Sequence, residues 1–148
     1  MNVMEYLQQG RTLDQRINFN LRRMQEMKDG LCGLRSPQMD QERVQTSRSE
    51  DAPFVRALMK VEEMQERLNQ EIDLLAELRG QIEETIRSVP SGEYQMLLMY
   101  RYLEGWSWAE IGDALRVSKN TVKRWHEEAL KQVRMPEHPL RITQGDAR

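Results

Sequence analysis

Residues 105–134 read GWSWAEIGDALRVSKNTVKRWHEEALKQVR, and how this stretch folds decides how the chain folds. Ser107 is followed three residues later by Glu110, the spacing of a capping box in which each side chain satisfies the other residue's backbone N–H. Ile111, Ala114 and Leu115 then give a first helix one apolar face. A turn of Arg116, Val117 and Ser118 follows. Ser118 is placed to cap a second helix, whose inward positions Val122, Trp125, Ala129 and Val133 recur at steps of three and four. Two short helices joined by so tight a turn predict a helix-turn-helix.

That register leaves Lys119, Asn120, Lys123 and Arg124 on the outside of the second helix. In a helix-turn-helix the first turns of the second helix enter the major groove of DNA. The residue types suit that place, since Lys and Arg donate to guanine or phosphate and Asn can bond adenine in two places. An ordinary helical hairpin with a solvated charged face is the alternative, and the charge distribution counts against it. Residues 105–134 hold six Lys or Arg against four Asp or Glu, whereas the whole chain carries a net charge of −2. The cations occupy the first two turns of the second helix, and Glu127 and Glu128 lie beyond them. An excess of two is weak, so binding to DNA is expected to be modest for a single copy and strongly salt-dependent.

The longer run LLMYRYLEGWSWAEIGDALRVSKNTVKRWHEEALKQVR, residues 97–134, resembles region 4 of bacterial sigma factors. The likeness is carried by its leucine-rich helix, Arg-Tyr pair, Glu-Ile pair and Val-Ser…Thr-Val…Ala-Leu pattern. The opening EYLQQGRTLDQRIN, residues 5–18, together with RYLEGWSWAEI and RWHEEAL, also resembles phage-encoded sigma-like regulators of the RinA and ArpU type, associated with late phage gene transcription. Those resemblances imply that Lys119, Asn120, Lys123 and Arg124 face bases and phosphates and that Thr121 borders the backbone. With the capping Ser118 the expected DNA-binding set is Ser118, Lys119, Asn120, Thr121, Lys123 and Arg124. They also imply work beside a host RNA polymerase, because the chain lacks room for the other sigma domains. One position departs from the pattern: sigma-like turns usually place Gly where this chain has Arg116, and a left-handed conformation there costs a non-Gly residue about 1 kcal/mol.

The remaining sequence predicts an assembly of helices. Phe54, Leu58, Val61, Met64, Leu68, Ile72, Leu75, Leu78, Ile82, Ile86 and Val89 are separated by threes and fours, ten steps over 35 residues. That period of 3.5 is the coiled-coil value. Charges and glutamines fill the intervening positions, so the helix reads as a wet rod about 54 Å long with one apolar seam that requires a partner. Val3, Leu7, Leu13, Ile17, Leu21, Met24, Met27 and Leu31 repeat the spacing less strictly and supply one. Residues 33–53, GLRSPQMDQERVQTSRSEDAP, read as a flexible loop. The expected organisation is all-α: residues 1–89 a helical hairpin or coiled coil that also forms a homodimer through residues 54–89, residues 90–134 the DNA-binding domain, and residues 135–148 a disordered tail. Asn18, Asn20 and Asn69 lie on or near the seams, either fixing register or simply facing water. Pro90, Ser91 and Gly92 form a hinge, and Met96, Leu97, Tyr100 and Leu103 lie on a further helix ended by Gly105. Trp108 is expected in the core, with Trp106 either a rim residue or an exposed contact for polymerase.

Composition narrows the function. A lone Cys32 permits no internal disulfide, which fits a reducing cytosol, and His126 and His138 are placed far from it along the chain, so no Cys-His nucleophile is expected. No run approaches 18 apolar residues and no signal-peptide pattern opens the chain, which reads as a cytoplasmic, non-membrane protein. No phosphate-binding Gly loop or spaced Cys/His metal site occurs, so neither catalysis, cofactor nor metal is expected. Two other functions share these features. A packaging adaptor like a terminase small subunit also couples a helix-turn-helix to a coiled-coil oligomer, and a sigma-like fold can bind polymerase without touching DNA.

Overall fold

The computed structural model describes the backbone of residues 1–34 and 37–142 and the side chains outside residues 34–51. Among the described residues there are five helices, α1 (Val3–Leu34), α2 (Pro37–Arg87), α3 (Gly92–Tyr102), α4 (Trp108–Leu115) and α5 (Lys119–Gln132), and no strand. The fold is therefore all-α, as its periodicity predicts. None of the described helices is long and apolar enough to cross a membrane. Helix α1 begins with a reciprocal capping box: the Glu5 N–H donates to Asn2 Oδ1 at 2.8 Å and the Asn2 N–H to Glu5 Oε2 at 3.0 Å.

The loop expected at residues 33–53 differs from what is found, because α2 already begins at Pro37. Proline is favourable at a first helical position, where its missing N–H has no partner to lose. Gln38, Met39, Gln41, Glu42, Arg43 and Gln45 then follow, all good helix formers. The Gly, Pro and Ser residues that signal a loop are outweighed, and α2 continues through Pro53. Residues 35 and 36 lie outside the described residues.

The chain divides into two compact units. One spans Gln15–Asp73 and is an antiparallel pair of helices: Arg16 of α1 stands opposite Glu71 of α2, and at the other end Met27, Gly30 and Leu31 face Pro53, Arg56, Ala57 and Lys60 around a hollow of about 400 Å³. Ile17, Met24, Val61 and Leu68 are buried between them. The seam is only partly consumed by this pairing. Leu58, Ile72 and Leu21 stay 36%, 42% and 37% exposed, with Val55, Met59 and Phe19 also at the surface. Asn18 and Asn69 are exposed, and Asn69 accepts from Gln65 on its own helix, so neither fixes a register here.

The other unit joins Met1–Asp14 to Leu74–Arg148 and so does not follow a boundary between residues 89 and 90. Tyr6, Leu7 and Leu13 of α1 and Leu78, Ile82, Ile86 and Val89 at the end of α2 are buried in the same core as Leu97, Leu98, Tyr102, Ile111, Val122, Ala129 and Val133. Gly10 makes the packing of α1 possible. A Cβ there would lie 3.3 Å from Ile82 Cδ1 and 3.9 Å from the Tyr102 carbonyl, leaving no room for a larger side chain.

Residues 135–142 also depart from the expected disordered tail. They form no helix, yet two glutamine amides hold them. Gln81 donates to the His138 carbonyl at 3.0 Å and accepts the Leu140 N–H at 2.9 Å. Gln9 donates to the Leu140 carbonyl at 3.0 Å and accepts the Ile142 N–H at 3.0 Å. Each amide thus supplies the donor and acceptor that a neighbouring strand would supply, and the Tyr6 hydroxyl fixes Gln81 from the other side at 2.6 Å. Residues 143–148 lie outside the described residues.

Candidate nucleic-acid interface

Three helices of the second unit, α3, α4 and α5, pack on one another pairwise. Ser91 caps α3 by accepting the Tyr94 N–H, and Gly105, at φ +73°, lets the chain leave it in the left-handed region. Ser107 caps α4 as its sequence predicts, with the Glu110 N–H at 3.2 Å. The box is not reciprocal, however: the Glu110 carboxylate accepts a hydrogen bond from the Ser107 hydroxyl at 3.0 Å rather than from the backbone N–H. On α4 the buried positions are Ile111 and Gly112, while Ala114 is exposed and Leu115 half-buried.

Gly112 explains the tightness of the turn into α5. Its carbonyl accepts the Arg116 and Val117 N–H groups, and a Cβ on it would fall 2.8 Å from the Val117 carbonyl oxygen. Arg116 is the C-cap of α4, at φ 59° and ψ 43°. The left-handed conformation expected of a glycine is therefore imposed on an arginine. Ser118 then caps α5, its hydroxyl accepting the Thr121 N–H at 3.2 Å and sharing a 2.8 Å hydrogen bond with the Thr121 hydroxyl.

Helix α5 is held from behind. Val122, His126 and Ala129 are buried, Trp125 is half-buried and lies 6.0 Å from the Tyr94 ring. His126 stands where the apolar pattern showed nothing. Its Nε2 shares a 2.6 Å hydrogen bond with the Tyr102 hydroxyl, and the Trp108 ring meets it edge-on at 4.7 Å. Burial, reinforced by the Arg101 charge, lowers the His126 pKa to about 4, so the ring is neutral at pH 7. Burial likewise raises Tyr102 to about 12. The Arg101 guanidinium lies 4.0 Å from the Trp108 ring centroid and donates to the Trp106 carbonyl at 3.0 Å. Trp108 thus packs as expected of a core residue, though it remains half-buried. Trp106 is also half-buried, stacked 4.3 Å from Tyr100 at an interplanar angle of 3°.

With the back of α5 occupied, its front is free. Lys119, Asn120, Lys123 and Arg124 are all exposed, and no hydrogen bond or ion pair among the described residues engages their side chains. Their spacing places them on adjoining sides of the first two turns. Thr121 is half-buried and, with Ser118, is engaged in the cap. Glu128 is turned to Lys131 at 3.3 Å, one turn beyond the cations. The six residues expected to bind DNA are thus brought to one end of one helix, four with unengaged side chains and two in the cap that opens it. Nothing in the sequence singles out His126 and Gln9, polar residues at buried positions that hydrophobic spacing does not register, or half-buried Gln81, whose partners His138 and Leu140 lie far along the chain.

Residues 79–133 match the family model for Sigma-70, region 4. The matched stretch lies within the unit just described and includes α3, α4 and α5. This part of the chain is accordingly a sigma-region-4-like helix-turn-helix domain, a DNA-binding and regulatory kind of domain rather than an enzymatic one. The chain matches no curated protein and no solved structure.

Proposed function

We propose that the chain is a sequence-specific DNA-binding regulator of transcription, of the phage-encoded RinA and ArpU type, that activates late genes beside a host RNA polymerase in the host cytoplasm. The observation that carries this reading is the unengaged set Lys119, Asn120, Lys123 and Arg124 at the start of α5, within a helix-turn-helix that matches Sigma-70, region 4. Lys119, Lys123 and Arg124 neutralise phosphates or donate to guanine, Asn120 reads adenine, and Ser118 with Thr121 holds the helix start against the backbone. Residues 90–134 carry the base-reading helices.

In this reading the helical hairpin delivers two readers to one DNA molecule. Exposed Val55, Leu58, Met59 and Ile72 on α2 favour a homodimer through that helix, since apolar side chains so grouped gain from being covered. A symmetric dimer requires a pseudo-palindromic site with half-sites about one helical turn, or a multiple of it, apart. Selection of bound sequences from a random duplex pool tests this directly. Enrichment of such a paired motif is the expected result, and a pool that emerges unenriched would contradict sequence-specific binding. Light scattering separates the packaging alternative: a dimer fits transcription control, and a ring of about eight subunits or more would argue for packaging.

A further inference from the structure

The sigma-like helices carry the residues assigned to base reading, but the hairpin contributes cations of its own to the same unit. Arg79 of α2 donates through Nη2 to the Leu103 carbonyl at 2.8 Å. Arg101 of α3 donates through Nη1 to the Trp106 carbonyl at 3.0 Å. Arg11 of α1 follows Gly10, whose backbone lies against the Tyr102 carbonyl, and its charge is felt by both Arg101 and Tyr102. Arg79 and Arg101 are thus bonded to the turn at residues 103–106, immediately before the N-cap Ser107 of α4, and Arg11 lies near enough for its charge to act on Arg101.

Part of this has a purely structural reason, because cations suit the carbonyl end of a helix such as α3. That reason is insufficient for all three. A guanidinium has five N–H donors, Arg79 and Arg101 each use one on the carbonyls named, and Arg11 makes no hydrogen bond. Among the described residues no carboxylate pairs with any of the three. Asp14, one turn along from Arg11, and Glu104, in the turn itself, form no ion pair with them among the described residues. Like charges gathered without a counter-ion repel one another, and a phosphodiester placed over them relieves that repulsion. Their position matches such a ligand. In a helix-turn-helix the first helix, here α4, crosses the DNA backbone.

We propose that Arg11 and Arg79, supplied by the hairpin, form a second phosphate-binding patch beside the N-cap of α4 that grips the duplex backbone flanking the half-site read by α5. The patch rests on the DNA-reading assignment above, and it makes the first turns of α1 part of the binding surface. It carries no base preference, because phosphates are the same in every sequence.

The test uses the full chain and a labelled random-sequence duplex, with affinity measured across a salt series. Arg11→Ala/Arg79→Ala should weaken binding equally on all duplexes and reduce the slope of log K against log salt by about 0.9 for each arginine, leaving the selected motif unchanged. Arg11→Lys/Arg79→Lys should restore most of the slope, since charge and not fork geometry is what the patch supplies. Arg11→Ala alone guards against a folding defect, because Arg11 makes no hydrogen bond to lose; an unchanged slope in that variant would overturn its part in the patch. If the alanine pair binds as the parent does while Lys123→Ala/Arg124→Ala loses binding, the patch is wrong and the reader stands. A parent chain that binds no duplex at low salt would overturn both.

Discussion

Arg116 and His126 are the two residues whose placement costs the fold most visibly. Arg116 holds a left-handed backbone without the freedom of glycine, at about 1 kcal/mol. Arg116→Gly should therefore raise the unfolding free energy by about 1 kcal/mol in urea titration, with DNA affinity little changed because residue 116 lies outside the expected contact set. This strain is legible only through the resemblance, since sigma-like turns usually place Gly where this chain has Arg116. His126 was not legible, because its partners Tyr102 and Trp108 come from other helices. Its folded pKa of about 4 lies below its ordinary 6.5, so between those values the unfolded chain binds the extra proton. Stability is whole above about 6.5 and falls as pH drops toward about 4, by at most about 1.4 kcal/mol per pH unit. Urea midpoints at pH 7, 6, 5 and 4 should show this decline, and His126→Gln should flatten it.

Among the elements, α1 and α2 show what periodicity can and cannot specify. The 3.5-residue spacing marks an apolar face on each helix, but it starts the second at Phe54 where α2 begins at Pro37, and it overstates burial, because one partner helix covers only part of a seam that also leaves Leu58 and Ile72 outside. It also gave no hint of the Arg16–Glu71 pair between them, at 3.4 Å and with side chains only 18% and 12% exposed. Arg16 Nε, Arg16 Nη2 and Glu71 Oε2 are buried without hydrogen-bond partners, so the pair attracts but is poorly satisfied. A pair of this kind adds little net stability, while removing one member strands the other charge. Glu71→Ala should thus destabilise the chain by about 1–2 kcal/mol in thermal or urea unfolding. Arg16→Met/Glu71→Leu should come out neutral or stabilising, and a double variant worse than the single would contradict this.

At the scale of the whole molecule, the DNA-binding unit is built from both ends of the chain. Tyr6, Leu7 and Leu13 complete its core, and residues 138–142 are bonded to Gln9 and Gln81. The helix-turn-helix motifs all lie within residues 90–134, so the sequence alone gives that range for the domain. A chain reads in order, and nothing local tells residue 9 that it will hold residue 140. Removing residues 135–148 should leave the Gln9 and Gln81 amides without four hydrogen bonds and lower stability by about 2 kcal/mol, measured by thermal unfolding, even though the Sigma-70, region 4 match ends before them. The reader itself remains the centre of the account, with α5 held from behind by Val122, His126 and Ala129 so that its cations face outward. Its most direct test is the affinity of the full chain for duplex DNA, across a salt series, before and after Lys123→Ala/Arg124→Ala. The account predicts weaker binding on every duplex and a slope of log K against log salt reduced by about 1.8. Unchanged affinity and slope in that variant would contradict it.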